Sequence, residues 1–224
     1  MSLATQLRED PSQVASIIEH TNVDPAATAA EIRELCAEVR EYGFYSAVVV
    51  PYHAPLAAEE LGDEANVVVV IGFPYGVQNT PAKVEEVRAL TETADEIDMV
   101  MNRTAFANGD DELVVEDIRA VNEAVGEKPL KCIIESPALS REEITRAAGL
   151  VEEGGAEFVK TAVGYDGPSD PADVEAMREG IGEGTEIKAS GGISSYEELL
   201  AMVDAGASRI GASAGIEICE SIED

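Results

Sequence analysis

Asn66-Val67-Val68-Val69-Val70-Ile71-Gly72-Phe73 is almost continuously apolar and shows no polar alternation. A strand of that kind is covered on both faces, as in a parallel sheet flanked by helices. Working outward, comparable runs occur at Ser16 to Glu19, Ser46 to Val50, Glu96 to Met101, Leu130 to Glu135, Glu157 to Thr161, Glu186 to Ala189 and Arg209 to Ala212, making eight strand candidates. Amphipathic segments lie between them: Ala27 to Tyr42, Pro55 to Leu61, Pro81 to Thr93, Asp111 to Val125, Ser140 to Glu153, Pro171 to Glu179 and Tyr196 to Ala205. Helix starts are signalled by Ser140 before Arg141-Glu142-Glu143, Ser195 three residues before Glu198, and Asp170 before Pro171. Helix-to-strand returns repeat a glycine, at Gly43, Gly154 and Gly206.

Eight such units in 224 residues give about 28 residues each, the pattern of a single (β/α)₈ TIM barrel with parallel strands. Only 12 residues follow Ala212, so the final helix is expected to be short or missing. A doubly wound open sheet is the alternative, but the first strand-to-helix turn lacks a glycine-rich dinucleotide fingerprint. No linker or low-complexity segment divides the chain, so residues 1–224 read as one domain.

The chain carries 45 Asp and Glu against 15 Lys and Arg, a formal charge of −30. A nucleic-acid partner is excluded, because no basic stripe is available to displace counterions from phosphate. The same charge opposes an anionic membrane surface, and the apolar runs are too short to span a bilayer. With 45% hydrophobic residues the acidity is not that of a disordered chain. Self-repulsion of this size is tolerable where salt screens it, so a high-salt, halophilic cytoplasm is expected. Met1 to Thr5 carry no signal-peptide pattern, and Cys36, Cys132 and Cys219 form neither a disulfide framework nor a CxxC pair. A reducing, cytoplasmic location follows as an expectation. A homo-oligomer is compatible with this sequence.

In such barrels chemistry sits at the C-terminal ends of the strands. Three charges stand inside or at the end of apolar runs: Asp98, Lys160 and Lys188. Two ammonium groups sharing one mouth, both desolvated, disfavour each other's protons, and a neutral lysine is a nucleophile for a carbonyl. The expected products are a carbinolamine and then a Schiff base, with Asp98 moving protons. A structural reading has each lysine extend to solvent while Asp98 pairs with one of them. The convergence of two lysines and a carboxylate favours chemistry. Gly191-Gly192 after the seventh strand, Gly211 to Gly215 after the eighth, and Gly164 after the sixth are placed to cradle a phosphate with backbone N–H groups, or simply to permit tight turns. Lys131 reads as a third barrel cation or an ordinary strand-start residue, and Glu135 as a holder of a cation or a water. His20 and His53 stand alone, with no metal-ligand cluster around them, and no serine has a hydrolase context.

Taken in order, Val70-Ile71-Gly72-Phe73-Pro74-Tyr75-Gly76, Ala94 to Val100, Phe158-Val159-Lys160-Thr161 and Ile187-Lys188-Ala189-Ser190-Gly191-Gly192-Ile193 closely resemble the deoxyribose-phosphate aldolases. Ile18-Glu19-His20-Thr21, Ile133-Ile134-Glu135 and Arg209 to Ser213 extend the resemblance over nearly the whole chain. The resemblance implies a (β/α)₈ class I aldolase that joins acetaldehyde and glyceraldehyde 3-phosphate without metal or cofactor. By motif, Lys160 is similar to the Schiff-base lysine, Lys188 to the lysine that depresses its pKa, and Asp98 to the proton-relay carboxylate. Gly164, Gly191, Gly192, Gly211 and Ser213 resemble the phosphate cradle. The chain departs from the family pattern at Ala162 and Val163, where small hydroxyl residues are usual, and at Ala214, where a second serine is common. It also has Glu19 for an aspartate, and a short tail without the tyrosine some members carry. These departures leave two alternatives: a class I aldolase with a different or unphosphorylated acceptor, or a barrel that binds a sugar phosphate without turnover.

Overall fold

A computed structural model describes residues 2–222; Met1, Glu223 and Asp224, part of the 1–224 domain reading, lie outside them. Helix α1 (Leu3–Glu9) and a 3₁₀ stretch (Pro11–Ile17) lead into β1 (Ile18–Asn22), followed by α2 (Ala29–Tyr42), β2 (Ser46–Val49), α3 (Ala54–Leu61), β3 (Asn66–Ile71), α4 (Thr80–Ala89) and β4 (Glu96–Val100). Then come α5 (Arg103–Ala107), α6 (Asp111–Val125), β5 (Leu130–Ile133), α7 (Arg141–Gly154), β6 (Phe158–Lys160), α8 (Pro171–Gly180), β7 (Glu186–Ser190), α9 (Tyr196–Ala205), β8 (Arg209–Ala212) and α10 (Gly215–Glu220). The eight strands are parallel and close through β1–β8 pairing into the expected barrel. The final helix exists and is short, six residues.

Local chemistry sets the boundaries. Ser140 and Glu143 form a reciprocal capping box on α7, and Asp170 caps α8 ahead of Pro171. Ser195 caps α9 by accepting the Glu198 N–H, while the Glu198 carboxylate turns back to the Ser194 N–H instead. The expected first strand begins two residues late, because Ser16 and Ile17 belong to the 3₁₀ turn.

Strand alternation divides the interior from the helix-facing layer. Outward residues such as Val49, Val69, Met99, Cys132 and Ile187 merge with the inner faces of the helices into one large core. Inward residues are of two kinds. On β2 and β3 they are uncharged, with Ser46 a buried hydroxyl and Val48, Val68 and Val70 packed against Val23, Val50 and Phe73. From β4 around to β1 they include the barrel's charged side chains, with Phe158 beside Lys131 and Arg209. Register places Asp98 opposite Lys131, and lines up Lys160, Lys188 and Arg209 on three successive strands. No helix among the described residues is long and apolar enough to cross a membrane.

Candidate active site

Asp98 lies at the centre of the charged half of the barrel. Its Oδ2 accepts from Lys160 Nζ and from Lys188 Nζ, each at 2.7 Å, and its Oδ1 accepts from Lys131 Nζ at 2.9 Å. Burial alone would push this carboxyl up, but the three ammonium groups outweigh it and hold Asp98 well below the usual carboxylate range. Lys131 is also paired to Glu96 at 2.6 Å, and Lys188 to Glu19. Burial works against the Lys131 charge, yet Asp98, Glu19 and Glu96 together raise its pKa. Lys131 is therefore a third barrel cation, fully buried, and not a strand-start residue at the opposite face.

Lys160 differs from its neighbours. Desolvation is the largest influence on it; Asp98 opposes that effect and the Lys188 charge reinforces it, bringing the amine down to about 8. It is also the one lysine, among the described residues, on the wall of a cavity of about 1060 Å³ at the C-terminal mouth of the barrel. Lys188 is 0% exposed and lies beneath that wall, against 5% for Lys160. The two ammonium groups therefore do not share the mouth as expected from sequence. Lys160 reaches it, and Lys188 acts from below through the common oxygen of Asp98.

Gly164, Gly191, Gly192, Gly211 and Ser213 all line the same cavity. Gly192 is at φ +77°, and a Cβ there would come within 2.7 Å of Pro168, so no other residue fits this turn. At Gly211 a Cβ would lie 3.0 Å from Lys188 Cε, so this glycine also makes room for the lysine below. The carboxylates on the rest of the wall are Asp24, Glu31, Glu34 and Glu38, and among the described residues no arginine lines it. Any anion seated here depends on backbone N–H groups and on hydroxyls such as Ser213.

Glu135 fixes a neighbouring loop through its carboxylate. It stands two residues past the end of β5 in a left-handed conformation, φ 58°, and its Oε2 accepts the Val163 N–H at 2.8 Å. Its carboxylate thus pins the β6–α8 loop that forms part of the cavity wall. Burial raises its pKa. His20 pairs with Glu38 at 2.8 Å and packs on Phe44, while His53 Nε2 donates to the Ala27 carbonyl at 3.0 Å.

Three interior charges were not singled out as site residues from sequence: Glu19, Glu96 and Arg209. All three sit in strand candidates, and Glu96 and Arg209 open theirs, where a charge is ordinary. The available signal was the strand period: Glu96 and Asp98 share parity, so one turned inward requires the other to be.

Comparison with known proteins agrees with this geometry. Residues 14–221 match the model of the DeoC/LacD family aldolases. The chain is 44% identical over 220 residues to a deoxyribose-phosphate aldolase of Aciduliprofundum boonei, covering 96% of this chain and 99% of that protein. It is 45% identical to one of Thermococcus gammatolerans, over 92% and 95% of the two chains. The solved tetrameric deoxyribose phosphate aldolase of Aeropyrum pernix superposes with a TM-score of 0.88 at 30% identity, covering 99% of this chain and 95% of that one. A closed parallel barrel with a buried lysine–aspartate cluster beneath an open lysine, matched along nearly its full length, places this chain in the DeoC/LacD family of aldolases.

Proposed function

We propose that this chain is a Schiff-base aldolase that reversibly cleaves 2-deoxy-D-ribose 5-phosphate to D-glyceraldehyde 3-phosphate and acetaldehyde. One observation carries the mechanism: a single amine opens to the cavity while the carboxylate that holds it is shared with a second, buried lysine. Neutral Lys160 attacks the C1 aldehyde of the open-chain sugar, and the carbinolamine loses water to give an iminium. The iminium draws electrons from the C2–C3 bond as the C3 hydroxyl gives up its proton, releasing glyceraldehyde 3-phosphate and leaving an enamine on Lys160. Protonation at C2 and hydrolysis then free acetaldehyde. Asp98, within hydrogen-bond reach of Lys160, moves these protons together with a water, and Lys188 keeps the resting amine from holding a proton. Gly164, Gly191, Gly192, Gly211 and Ser213 seat the phosphate. The chemistry calls for no metal or cofactor, because the iminium is itself the electron sink.

Borohydride added with acetaldehyde leaves a reduced two-carbon adduct on Lys160, read by peptide mass spectrometry; an unmodified Lys160 defeats the mechanism. A second reading concerns the acceptor. Ala162, Val163 and Ala214 line the cavity beside acidic groups, and among the described residues no arginine lines it, which favours some use of unphosphorylated acceptors. Comparing kcat/KM for glyceraldehyde 3-phosphate and glyceraldehyde decides it. We place the enzyme in the cytoplasm, as one domain over residues 1–224, and assemble it as a homo-oligomer by analogy with the tetrameric relative.

A further inference from the structure

Three carboxylates and four basic side chains converge inside the barrel, and all but one of them, with one phenol, close a ring. Arg209 Nη1 faces Glu19 Oε1 at 3.6 Å, and Glu19 Oε2 accepts from Lys188 Nζ. Lys188 Nζ reaches Asp98 Oδ2 at 2.7 Å, Asp98 Oδ1 accepts from Lys131 Nζ at 2.9 Å, and Lys131 lies 2.6 Å from Glu96 Oε2. Glu96 Oε1 accepts the Tyr45 hydroxyl, and the Arg209 guanidinium lies 3.3 Å from the centroid of the Tyr45 ring, which returns to the start. Within the ring Glu19, Glu96 and Asp98 are balanced by Lys131, Lys188 and Arg209. Lys160 stands outside it, on Asp98, between the ring and the cavity.

We propose that Arg209 is a positioning residue for the aldol reaction: as the ring's permanent cation it completes the neutralisation of the three carboxylates, so none is left over to keep a proton on Lys160. The inference rests on the Schiff-base reading of Lys160. A guanidinium suits the part because it does not deprotonate in proteins, unlike a buried lysine. Its contact with Glu19 is electrostatic in kind, since at 3.6 Å neither Arg209 Nη1 nor Glu19 Oε1 makes a hydrogen bond among the described residues. Stacking on Tyr45 fixes the group at the foot of the barrel without using a carboxylate. Removing this charge leaves the ring one negative unit in excess, and Lys160 is the neighbouring group able to take up the missing proton.

The other groups facing Lys160 do not offer the same compensation. Asp98 on β4, Lys188 on β7, Lys131 on β5 and Glu19 on β1 are already counted in the ring. β2 and β3 carry no charged side chain: Val48, Val68 and Val70 are apolar and Ser46 is a buried hydroxyl. On the cavity side, His20 pairs with Glu38, and Asp24, Glu31 and Glu34 line the wall. Glu135 is turned onto the Val163 N–H.

The test measures the pH dependence of reductive trapping of acetaldehyde on Lys160 in the full chain, each variant expressed relative to the parent at the same pH. Arg209→Gln is expected to move the midpoint up by about one pH unit, which lowers trapping at pH 7 about tenfold. Glu19→Gln removes a negative charge and is expected to move it down. The double variant Arg209→Gln/Glu19→Gln returns it toward the parent, and Arg209→Lys stays near the parent. A purely structural role has no reason to produce opposite signs that cancel. If Arg209→Gln does not fold by circular dichroism, Glu19→Gln and the double variant still read the sign and the cancellation. An unmoved midpoint in folded Arg209→Gln, or single variants that shift the same way, overturns the inference while leaving the Schiff-base reading intact. Absence of any Lys160 adduct in the parent overturns both.

Discussion

Replacing Lys188 by Met removes one buried charge while keeping most of the side-chain volume, and the structure sets the size of the effect. Lys160 and Lys188 Nζ each lie 2.7 Å from the same Asp98 oxygen, so the two nitrogens are within about twice that distance of each other. At roughly 5 Å and an effective dielectric of about 20, two unit charges repel by about 3 kcal/mol, or about two pH units. Lys160 titrates at about 8 in the native protein. In Lys188→Met it is expected near its ordinary value, where its neutral fraction at pH 7 falls on the order of 100-fold. The assay is single-turnover imine formation with acetaldehyde, trapped by cyanoborohydride between pH 6 and 10, with a thermal melt to verify folding. Iminium formation should slow about 100-fold at pH 7 and recover at high pH. Desolvation is the competing cause and the larger one on Lys160. A midpoint that stays near 8 in folded Lys188→Met means burial alone sets the amine, and refutes the coupling.

Lys160→Met should abolish aldol cleavage and raise stability. A lysine at about 8 in the folded protein, against 10.5 ordinarily, costs on the order of 3 kcal/mol below pH 8, and the cost fades as pH rises toward 10.5. Urea unfolding of parent and variant should therefore differ at pH 7 and converge near pH 10.5; a destabilised variant at pH 7 contradicts this sign. Gly211→Ala places a methyl 3.0 Å from Lys188 Cε and 3.1 Å from Ser190 Cβ, and because Lys188 is anchored at its far end, overpacking of about 1–3 kcal/mol is expected in a thermal melt. An unchanged melting temperature would mean that Lys188 moves aside freely. With a formal charge of −30, both the unfolding midpoint and substrate capture should respond to salt: stability rises in molar KCl, and KM for the phosphorylated sugar falls from its low-salt value. A KM independent of salt would show that the local cradle dominates the long-range field.

The barrel was legible because parallel strands covered on both faces leave continuous apolar runs, and caps mark the helices between them. Asp111–Val125 and Tyr196–Ala205 fall where their sequences place them. Helix α1 was missed because it is seven residues long with only Ala4 and Leu7 buried, too little for a periodic signal. Helix α5 is a five-residue turn capped by Asn102, hidden in a loop by its length. In the site, Asp98, Lys160 and Lys188 were visible as charges inside apolar runs. Their division of labour was not, since it depends on depth: one amine opens to the cavity and the other lies below it. The inward turn of Glu96 follows from its parity with Asp98, but which partners Glu19, Glu96 and Arg209 meet depends on register between different strands, which no local pattern encodes.

The placement of lysine has a consequence for an enzyme that handles free aldehydes. Aldehydes condense with exposed amines, and a lysine-rich exterior would be steadily modified by the products of the reaction. Here Lys83, Lys131, Lys160 and Lys188 are buried, and the fifth lysine, Lys128, donates to the Thr91 and Ala94 carbonyls. Basic charge on the outside is carried by arginines such as Arg8, Arg33, Arg88 and Arg141, whose guanidinium groups stay protonated and form no imine. The same distribution that confines the reactive amine to the barrel mouth leaves the outer surface with little for acetaldehyde to adduct.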